Sequence, residues 1–127
     1  MRAAMLEHLN LTVSDPDKIA HILCQLFNWH IRWCGPAKDD GYTVHVGSET
    51  AYLALYKPKR FNTEVCDHLN IAHVNHVGIL VNELSEVEKK VIAMGFNTFN
   101  HGDYTPGKRF YFMLSDGIEA EVVSYAN

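Results

Sequence analysis

The sequence predicts an α+β fold in which two tandem βαβββ modules form a curled mixed sheet. The first observation is an internal repeat, because the segment EHLNLTV at Glu7–Val13 is echoed by NHVGILV at Asn75–Val81. The second is that a helical hydrophobic pattern follows each segment, and short strands with turn signals follow each helix. We expect one domain, with modules at about 5–57 and 74–127 and a connector at about 58–73.

Composition narrows the class of protein. Of the 127 residues, 47% are hydrophobic and 11% aromatic, which is enough for a folded core. The net charge is −4 and the longest basic cluster is KPKR at Lys57–Arg60, so the charge pattern predicts no nucleic-acid partner. No apolar run approaches the roughly 20 residues of a membrane helix, and no signal-peptide core is visible, so we expect a cytoplasmic protein without a membrane partner.

The three cysteines show no C-x-x-C spacing. An odd number without that motif favours neither a disulfide framework nor a thiolate zinc site. We expect ordinary thiols at these positions.

The first module begins with alternating residues at Leu6–Val13, which predict a strand with His8, Asn10 and Thr12 on one face. Ser14 or Asp15 is the expected N-cap of a helix that ends near Phe27-Asn28. The strands that follow are predicted at Trp29–Cys34, with a break at Gly35-Pro36, then at Tyr42–Val46 and Ala51–Tyr56.

The second module repeats this order after the connector Lys57–Val74, which is expected to hold a helical turn around Val65–Leu69. A strand at Asn75–Val81 and a helix at Leu84–Met94 capped by Gly95 are predicted. Three strands complete it, at Phe96–Phe99, Arg109–Met113 and Ile118–Tyr125, with a tight turn at Ser115–Gly117 between the last two.

The repeat brings chemically useful residues into correspondence. His8 and His76 hold equivalent positions, and aligning the closing hairpins without gaps puts Ala54 where the second module has Glu121. Two histidines and a carboxylate suit a divalent metal ion. Glu119 shares the strand face of Glu121, but spacing from the preceding strand favours Glu121 as the ligand and leaves Glu119 nearer the turn.

The segments EHLNLTVSD, NHVGILVNE and FYF…SDG…EVVSY together resemble the vicinal oxygen chelate superfamily. That superfamily includes glyoxalase I, fosfomycin resistance enzymes, bleomycin-binding proteins and extradiol dioxygenases. The resemblance implies a metalloenzyme of glyoxalase-like type whose divalent ion, held by His8, His76 and Glu121, acts as a Lewis acid on chelating substrate oxygens. Lyase or isomerase, thiol-transfer and dioxygenase chemistry all start from that chelate, and Fe, Mn, Zn, Ni or Co would suit these ligands.

One position departs from glyoxalase I, which carries a fourth protein ligand where this chain has Ala54. Strict glyoxalase I activity is therefore not expected, although a lyase is the favoured class. Glu121 or Glu119 would have to move the proton. The other candidate substrate-binding residues are Asn10, Tyr52, Tyr56, Lys108 and Arg109, while Trp33 and Tyr111 would line either a pocket or the module interface.

Two further expectations follow from the resemblance. Small members of the superfamily form two-fold dimers, which implies a homodimer in which His8 comes from one chain and His76 and Glu121 come from the other. The alternative to an enzyme is a metal-free drug or metabolite binding protein of the bleomycin resistance type, with aromatic walls formed by Tyr52, Tyr56 and Trp33. The remaining histidines, among them His45 and His101, are expected to be ordinary core or surface residues.

Overall fold

The computed structural model describes residues 1–126, which divide into two compact units between Thr63 and Glu64. The division falls in the segment predicted to be the connector. The first unit contains β1 (His8–Thr12), α1 (Pro16–Phe27), β2 (His30–Ala37), β3 (Gly41–Gly47) and β4 (Tyr52–Lys57). The second contains β5 (Val77–Leu80), α2 (Leu84–Ala93), β6 (Thr98–Tyr104), β7 (Gly107–Ser115) and β8 (Ile118–Ser124). The predicted class of two βαβββ modules is confirmed.

The first unit is a four-stranded mixed sheet in the order β1-β4-β3-β2, with β1 parallel to β4 and the other pairs antiparallel. Helix α1 packs on β3 and β4, where Val44, Val46 and Leu55 are fully buried. Because strand side chains alternate between faces, His45 and Tyr52 lie on the opposite face. That face carries the polar side chains of the unit.

Helix α1 begins and ends as predicted. Asp15 is its N-cap, and the Asp15 carboxylate accepts a hydrogen bond from the Lys18 backbone N–H at 3.2 Å. Asn28 ends it in the left-handed conformation with a φ of 56°. Asparagine tolerates this conformation better than most residues.

The second unit has the equivalent order β5-β8-β7-β6. Helix α2 packs on β6, β7 and β8 through Val87 and Val91, over a core that includes Phe110 and Phe112. Gly95 follows the helix with a φ of 97°, as the predicted glycine cap requires. Within the described residues neither helix is long and apolar enough to cross a membrane.

Two predicted strand boundaries are wrong. Strand β2 continues through Gly35-Pro36 to Ala37, because it is an outer strand of its sheet and a proline without an N–H is tolerated there. Strand β6 begins at Thr98 and runs to Tyr104, so it extends well beyond the predicted Phe96–Phe99.

The connector contains turns instead of the helical turn expected around Val65–Leu69. The Asp67 carboxylate accepts a hydrogen bond from the Leu69 backbone N–H at 3.0 Å, and the Asn70 N–H bonds to the Asp67 carbonyl oxygen at 3.1 Å. Aspartate often offers the backbone this alternative to helix formation.

The internal repeat is visible in the strand pairing. Asn10 lies opposite Ala54 and Gly78 lies opposite Glu121, which supports the predicted correspondence of Ala54 with Glu121. The gapless alignment is wrong by one residue for β3 and β7, however, because Ala54 faces His45 whereas Glu121 faces Tyr111. The span between paired residues is one residue longer in the second unit, because β7 contains a register shift between Met113 and Ser115 and the β3–β4 pairing is regular.

Candidate metal centre

The second unit brings His76 and Glu121 together. His76 precedes β5 and Glu121 lies on the adjoining strand β8, and the Nε2 atom of His76 is 3.9 Å from Oε1 of Glu121. Gly78 is the strand partner of Glu121, and a Cβ at Gly78 would meet Glu121 Oε1 at 3.8 Å, an ordinary van der Waals distance. Sequence reasoning predicted both residues as ligands.

The neighbouring residue fixes the orientation of the His76 ring. Nδ1 of His76 lies 2.7 Å from Oδ1 of Asn75. An amide oxygen only accepts hydrogen bonds, so Nδ1 carries the proton in the neutral ring. The lone pair is then on Nε2, which is the atom that points towards Glu121.

The Glu121 carboxylate is held through its other oxygen. Oε2 accepts a hydrogen bond from the Tyr111 hydroxyl at 2.5 Å and a longer one from Arg109 Nη1 at 3.4 Å. The hydrogen bond to Glu121 and burial together raise the pKa of Tyr111 to about 12. Tyr111 is therefore a proton donor at neutral pH, and Oε1 remains directed towards His76.

A cavity of about 470 Å³ adjoins this pair. Glu119 lies on the same face of β8 as Glu121, two residues nearer the turn, and contributes to the cavity wall. The lining residues are Asn75, His76, Asn100, His101, Tyr104, Tyr111 and Glu119. A small molecule in this cavity would lie beside His76, Tyr111 and Glu119.

His8 in the first unit has an environment that parallels that of His76. Its Nδ1 atom lies 2.7 Å from Oε1 of the preceding residue, Glu7, which also accepts a hydrogen bond from the Tyr52 hydroxyl at 3.3 Å. The hydrogen bond with His8 is the main cause that lowers the pKa of Glu7. In both units the acceptor side chain just before the histidine leaves Nε2 with the lone pair.

His8 lies at one end of a row of contacting aromatic rings in that unit. The His8 ring stacks on Tyr52 at a centroid distance of 5.0 Å, and Tyr52 stacks on His45 at 4.7 Å. His45 in turn contacts Trp33 at 5.3 Å, and the Arg32 guanidinium lies 4.6 Å from the centre of the Tyr52 ring. Burial is the main cause that lowers the pKa of His45.

The remaining candidate substrate residues have differing surroundings. Asn10 is exposed opposite Ala54, whereas Tyr56 is buried and donates its hydroxyl to the Lys38 carbonyl oxygen at 2.9 Å. Lys108 and Arg109 are consecutive on β7 and so point to opposite faces. The Lys108 side chain is 60% exposed and lies 3.8 Å from Asp103, while that of Arg109 is only 11% exposed.

The donor pair fits a divalent ion. An ion bound at about 2.0–2.2 Å to both atoms needs donors about 3.0–3.4 Å apart. A small side-chain rotation brings His76 Nε2 and Glu121 Oε1 from 3.9 Å to that distance. Among residues 1–126 no three histidine, cysteine or acidic side chains converge on one point, so the predicted triad with His8 stays a prediction.

Sequence reasoning missed several residues around these sites. Glu7 and Asn75 were detectable, because each puts a side-chain acceptor directly before a repeated histidine. Glu88 on α2 accepts hydrogen bonds from Thr98 and His101, both at 2.6 Å. No feature of the neighbouring sequence indicated this contact. Burial raises the pKa of Glu88, but these two hydrogen bonds outweigh it and lower the pKa overall.

Comparison with known proteins supports the fold. Neither a protein-family model nor a curated protein significantly matches the sequence. Among solved structures, the glyoxylase/bleomycin resistance protein/dioxygenase domain from Frankia sp. EAN1pec is 17% identical with a TM-score of 0.82, covering 97% of this chain and 98% of that one. A glyoxalase family protein from Enterococcus faecalis is 14% identical with a TM-score of 0.76, covering 93% and 95%.

A third solved structure contains a metal ion. It is a mutant of the fosfomycin resistance protein FosX from Listeria monocytogenes, complexed with Mn(II) and 1S,2S-dihydroxypropylphosphonic acid. It is 17% identical with a TM-score of 0.74, covering 99% of this chain and 95% of that one. The chain therefore has the glyoxalase/bleomycin resistance/dioxygenase fold of the vicinal oxygen chelate proteins that its sequence resembles.

Proposed function

We propose that this protein is a divalent-metal-dependent enzyme, glyoxalase-like in the broad sense, that acts on a small molecule with two neighbouring oxygens. The observation that carries the proposal is the pairing of His76 Nε2 with Glu121 Oε1. Asn75 holds the opposite nitrogen of the imidazole, and Tyr111 holds the opposite oxygen of the carboxylate. Both remaining donor atoms are thus oriented before any ion arrives, which is the usual role of residues that surround metal ligands.

His76 and Glu121 would hold the ion, with His8 as the third ligand. When bound, the ion supplies Lewis-acid stabilisation of negative charge on a substrate oxygen. Tyr111 keeps its proton at neutral pH and donates a hydrogen bond within the site. Glu119, in the wall of the same cavity, is the residue that we propose as the proton-moving base.

The favoured reaction class is a lyase or isomerase. The fold neighbours include a glyoxalase family protein. Ala54 supplies no donor where glyoxalase I has its fourth ligand, so we do not propose glyoxalase I activity itself. Several metals suit two imidazoles and a carboxylate, and the Mn(II) of the FosX complex makes Mn(II) the first ion to try.

The metal proposal is tested by calorimetric titration of Mn(II) and Zn(II) into the metal-free protein. We expect saturable binding in the wild type and a loss of at least about 100-fold in affinity in His76→Ala. His30→Ala is the matched control, because the His30 side chain is exposed on β2 with Glu49 3.6 Å away, and this variant should bind metal normally. Equal binding by wild type and His76→Ala would refute the site.

We further propose that the third ligand comes from a second copy of the chain. In a homodimer of this kind, His8 of one chain would complete the pair His76 and Glu121 of the other. Mixing His8→Ala with Glu121→Ala chains should then restore one intact metal site per heterodimer from two inactive parents. A monomer by light scattering, or no recovery of metal binding after verified subunit exchange, would contradict the arrangement.

A second candidate function is metal-free binding of a flat ligand. It is favoured by the ring array of Trp33, His45 and Tyr52, in which Trp33 is 51% exposed. Tyr56, predicted as part of such a wall, is buried and bonded to the backbone, so it contributes less. If this function is correct, a planar dye such as 8-anilinonaphthalene-1-sulfonate should bind equally well to the wild type and to the double variant His8→Ala, His76→Ala.

A further inference from the structure

The guanidinium of Arg109 has buried hydrogen-bond donors without an acceptor among the described residues. It makes one hydrogen bond, from Nη1 to Glu121 at 3.4 Å. Within the described residues its Nε and Nη2 atoms are buried and have no hydrogen-bond partner. Buried donors of a charged group are almost always paired in native proteins, because leaving them unpaired forfeits their hydration.

Tyr104 covers this guanidinium. The Arg109 Cζ atom lies 4.5 Å from the centre of the Tyr104 ring, and the tyrosine is itself 60% exposed. Gly102 makes this cover possible, because a Cβ at Gly102 would lie 2.5 Å from Tyr104 Cε1. Tyr104 is the last residue of β6, next to the turn at Thr105-Pro106.

The cover also belongs to the wall of the cavity beside His76. Tyr104 and Tyr111 both line that cavity, and Tyr111 shares the Glu121 carboxylate with Arg109. A rotation of the Tyr104 ring away from the guanidinium would open the unpaired Nε and Nη2 donors towards this cavity. These two N–H groups lie on one edge of the planar guanidinium, the arrangement that binds two oxygens of one anion.

We infer that Arg109 binds an anionic group of the ligand, a carboxylate or a phosphonate, and that Tyr104 is the movable cover of this anion subsite. The anion accepts hydrogen bonds from Nε and Nη2 of Arg109, while Nη1 continues to donate its hydrogen bond to Glu121. Arg109 is thus a specificity-determining residue for anionic substrates. The inference rests on the proposed function only in taking the bound anion to be part of the substrate.

The test uses the full-length, metal-free protein and the Nε–H resonance of Arg109 in ¹⁵N-labelled samples. Methylphosphonate, acetate and chloride are titrated separately at constant ionic strength. We expect methylphosphonate or acetate to shift the Arg109 Nε–H signal saturably, with chloride producing no saturable shift. Whichever of the two binds at least about 5-fold more tightly identifies the anion as phosphonate or carboxylate.

Variants separate the subsite from general charge attraction. Arg109→Lys keeps the positive charge but lacks the planar pair of donors, so anion binding measured on neighbouring amides should weaken by at least about 10-fold. Lys89→Gln, which removes an exposed positive charge from helix α2, should change it less than about 2-fold. Tyr104→Phe should bind the anion with the affinity of the wild type. Tyr104→Ala should bind the anion at least as tightly, and the anion should associate and dissociate faster.

A shift no larger with methylphosphonate and acetate than with chloride would overturn the inference, as would equal losses in Arg109→Lys and Lys89→Gln. Because no metal is present, this result is independent of the proposed metal site. Anion binding without any Mn(II) binding would refute the metal proposal alone. Mn(II) binding without anion binding would refute the anion subsite alone.

Discussion

The imidazole of His76 and the carboxylate of Glu121 face each other across two parallel strands, with Nε2 and Oε1 3.9 Å apart. Each group is held from behind by a different partner, Asn75 for the imidazole and Tyr111 for the carboxylate. This pairing distinguishes the second unit from the first, where Ala54 takes the place of Glu121 and the His8 ring stacks on Tyr52.

Glu121 and Glu119 lie on the same face of β8, so metal affinity distinguishes them as ligands. We expect Glu121→Gln to weaken Mn(II) binding by at least about 100-fold, because the neutral amide is a poor ligand. Glu119→Gln should change affinity by less than about 5-fold and instead reduce turnover. Calorimetric titration of both variants measures this, and the reverse order of effects would reassign the ligand.

The Asn75 side chain should contribute to metal affinity without touching the ion. Removing the acceptor in Asn75→Ala frees the His76 ring to rotate and change tautomer, which should cost about 10- to 100-fold in affinity. Asn75→Asp keeps an acceptor at that position and should bind metal at least as well as the wild type. Identical affinities for Asn75→Ala and wild type would show that the contact at 2.7 Å has no role in metal binding.

The raised pKa of Tyr111 predicts a specific loss of stability in alkali. Hydrogen bonding to Glu121 raises the pKa from the ordinary value of 10.0 to about 12, so the folded state holds its proton more tightly than the unfolded state. The stabilisation is complete below about pH 10 and is lost as pH rises towards 12. In urea unfolding, the stability difference between wild type and Tyr111→Phe should be constant below pH 10 and shrink above it.

The other tyrosines are present in both proteins, so their ionisation does not contribute to the difference in the free energy of unfolding. A difference that stays constant up to pH 12 would show that the Tyr111–Glu121 contact does not persist in solution.

Helix α1 should depend on its N-cap while α2 does not. The Asp15 carboxylate accepts the Lys18 N–H, whereas Glu83 at the start of α2 makes no side-chain capping hydrogen bond. We expect Asp15→Ala to reduce the free energy of unfolding by about 0.5–2 kcal/mol and Asp15→Asn by much less. Glu83→Ala should stay within about 0.5 kcal/mol of wild type by urea denaturation. Equal losses at both positions would contradict the capping assignment.

The fold was largely predictable because its signals are local and occur twice. Alternation in Leu6–Val13, the Asp15 cap and the Asp116-Gly117 turn each specify local structure from a few neighbouring residues. The errors occurred where tertiary context overrides local signals. Pro36 normally ends a strand, but on the outer strand β2 its missing N–H costs no ladder hydrogen bond.

The proximity of His76 and Glu121 was predictable from the sequence, whereas most of their surroundings were not. The repeat identified His8 and His76, and spacing favoured Glu121 over Glu119. The gapless alignment did not place Tyr111 where the first unit has His45, because the one-residue slip arises from an irregularity in β7 between Met113 and Ser115 that has no sequence signal. The cover of Tyr104 over Arg109 depends on the absent side chain of Gly102, and no periodic pattern encodes such a contact.

The central claim, a divalent metal ion between His76 and Glu121, is tested most directly by anomalous diffraction from crystals grown with Mn(II). We predict an anomalous peak within about 2.2 Å of both His76 Nε2 and Glu121 Oε1, with a third histidine ligand, His8, completing the set. A strong peak bound elsewhere on the chain, or no peak at saturating Mn(II), would contradict it.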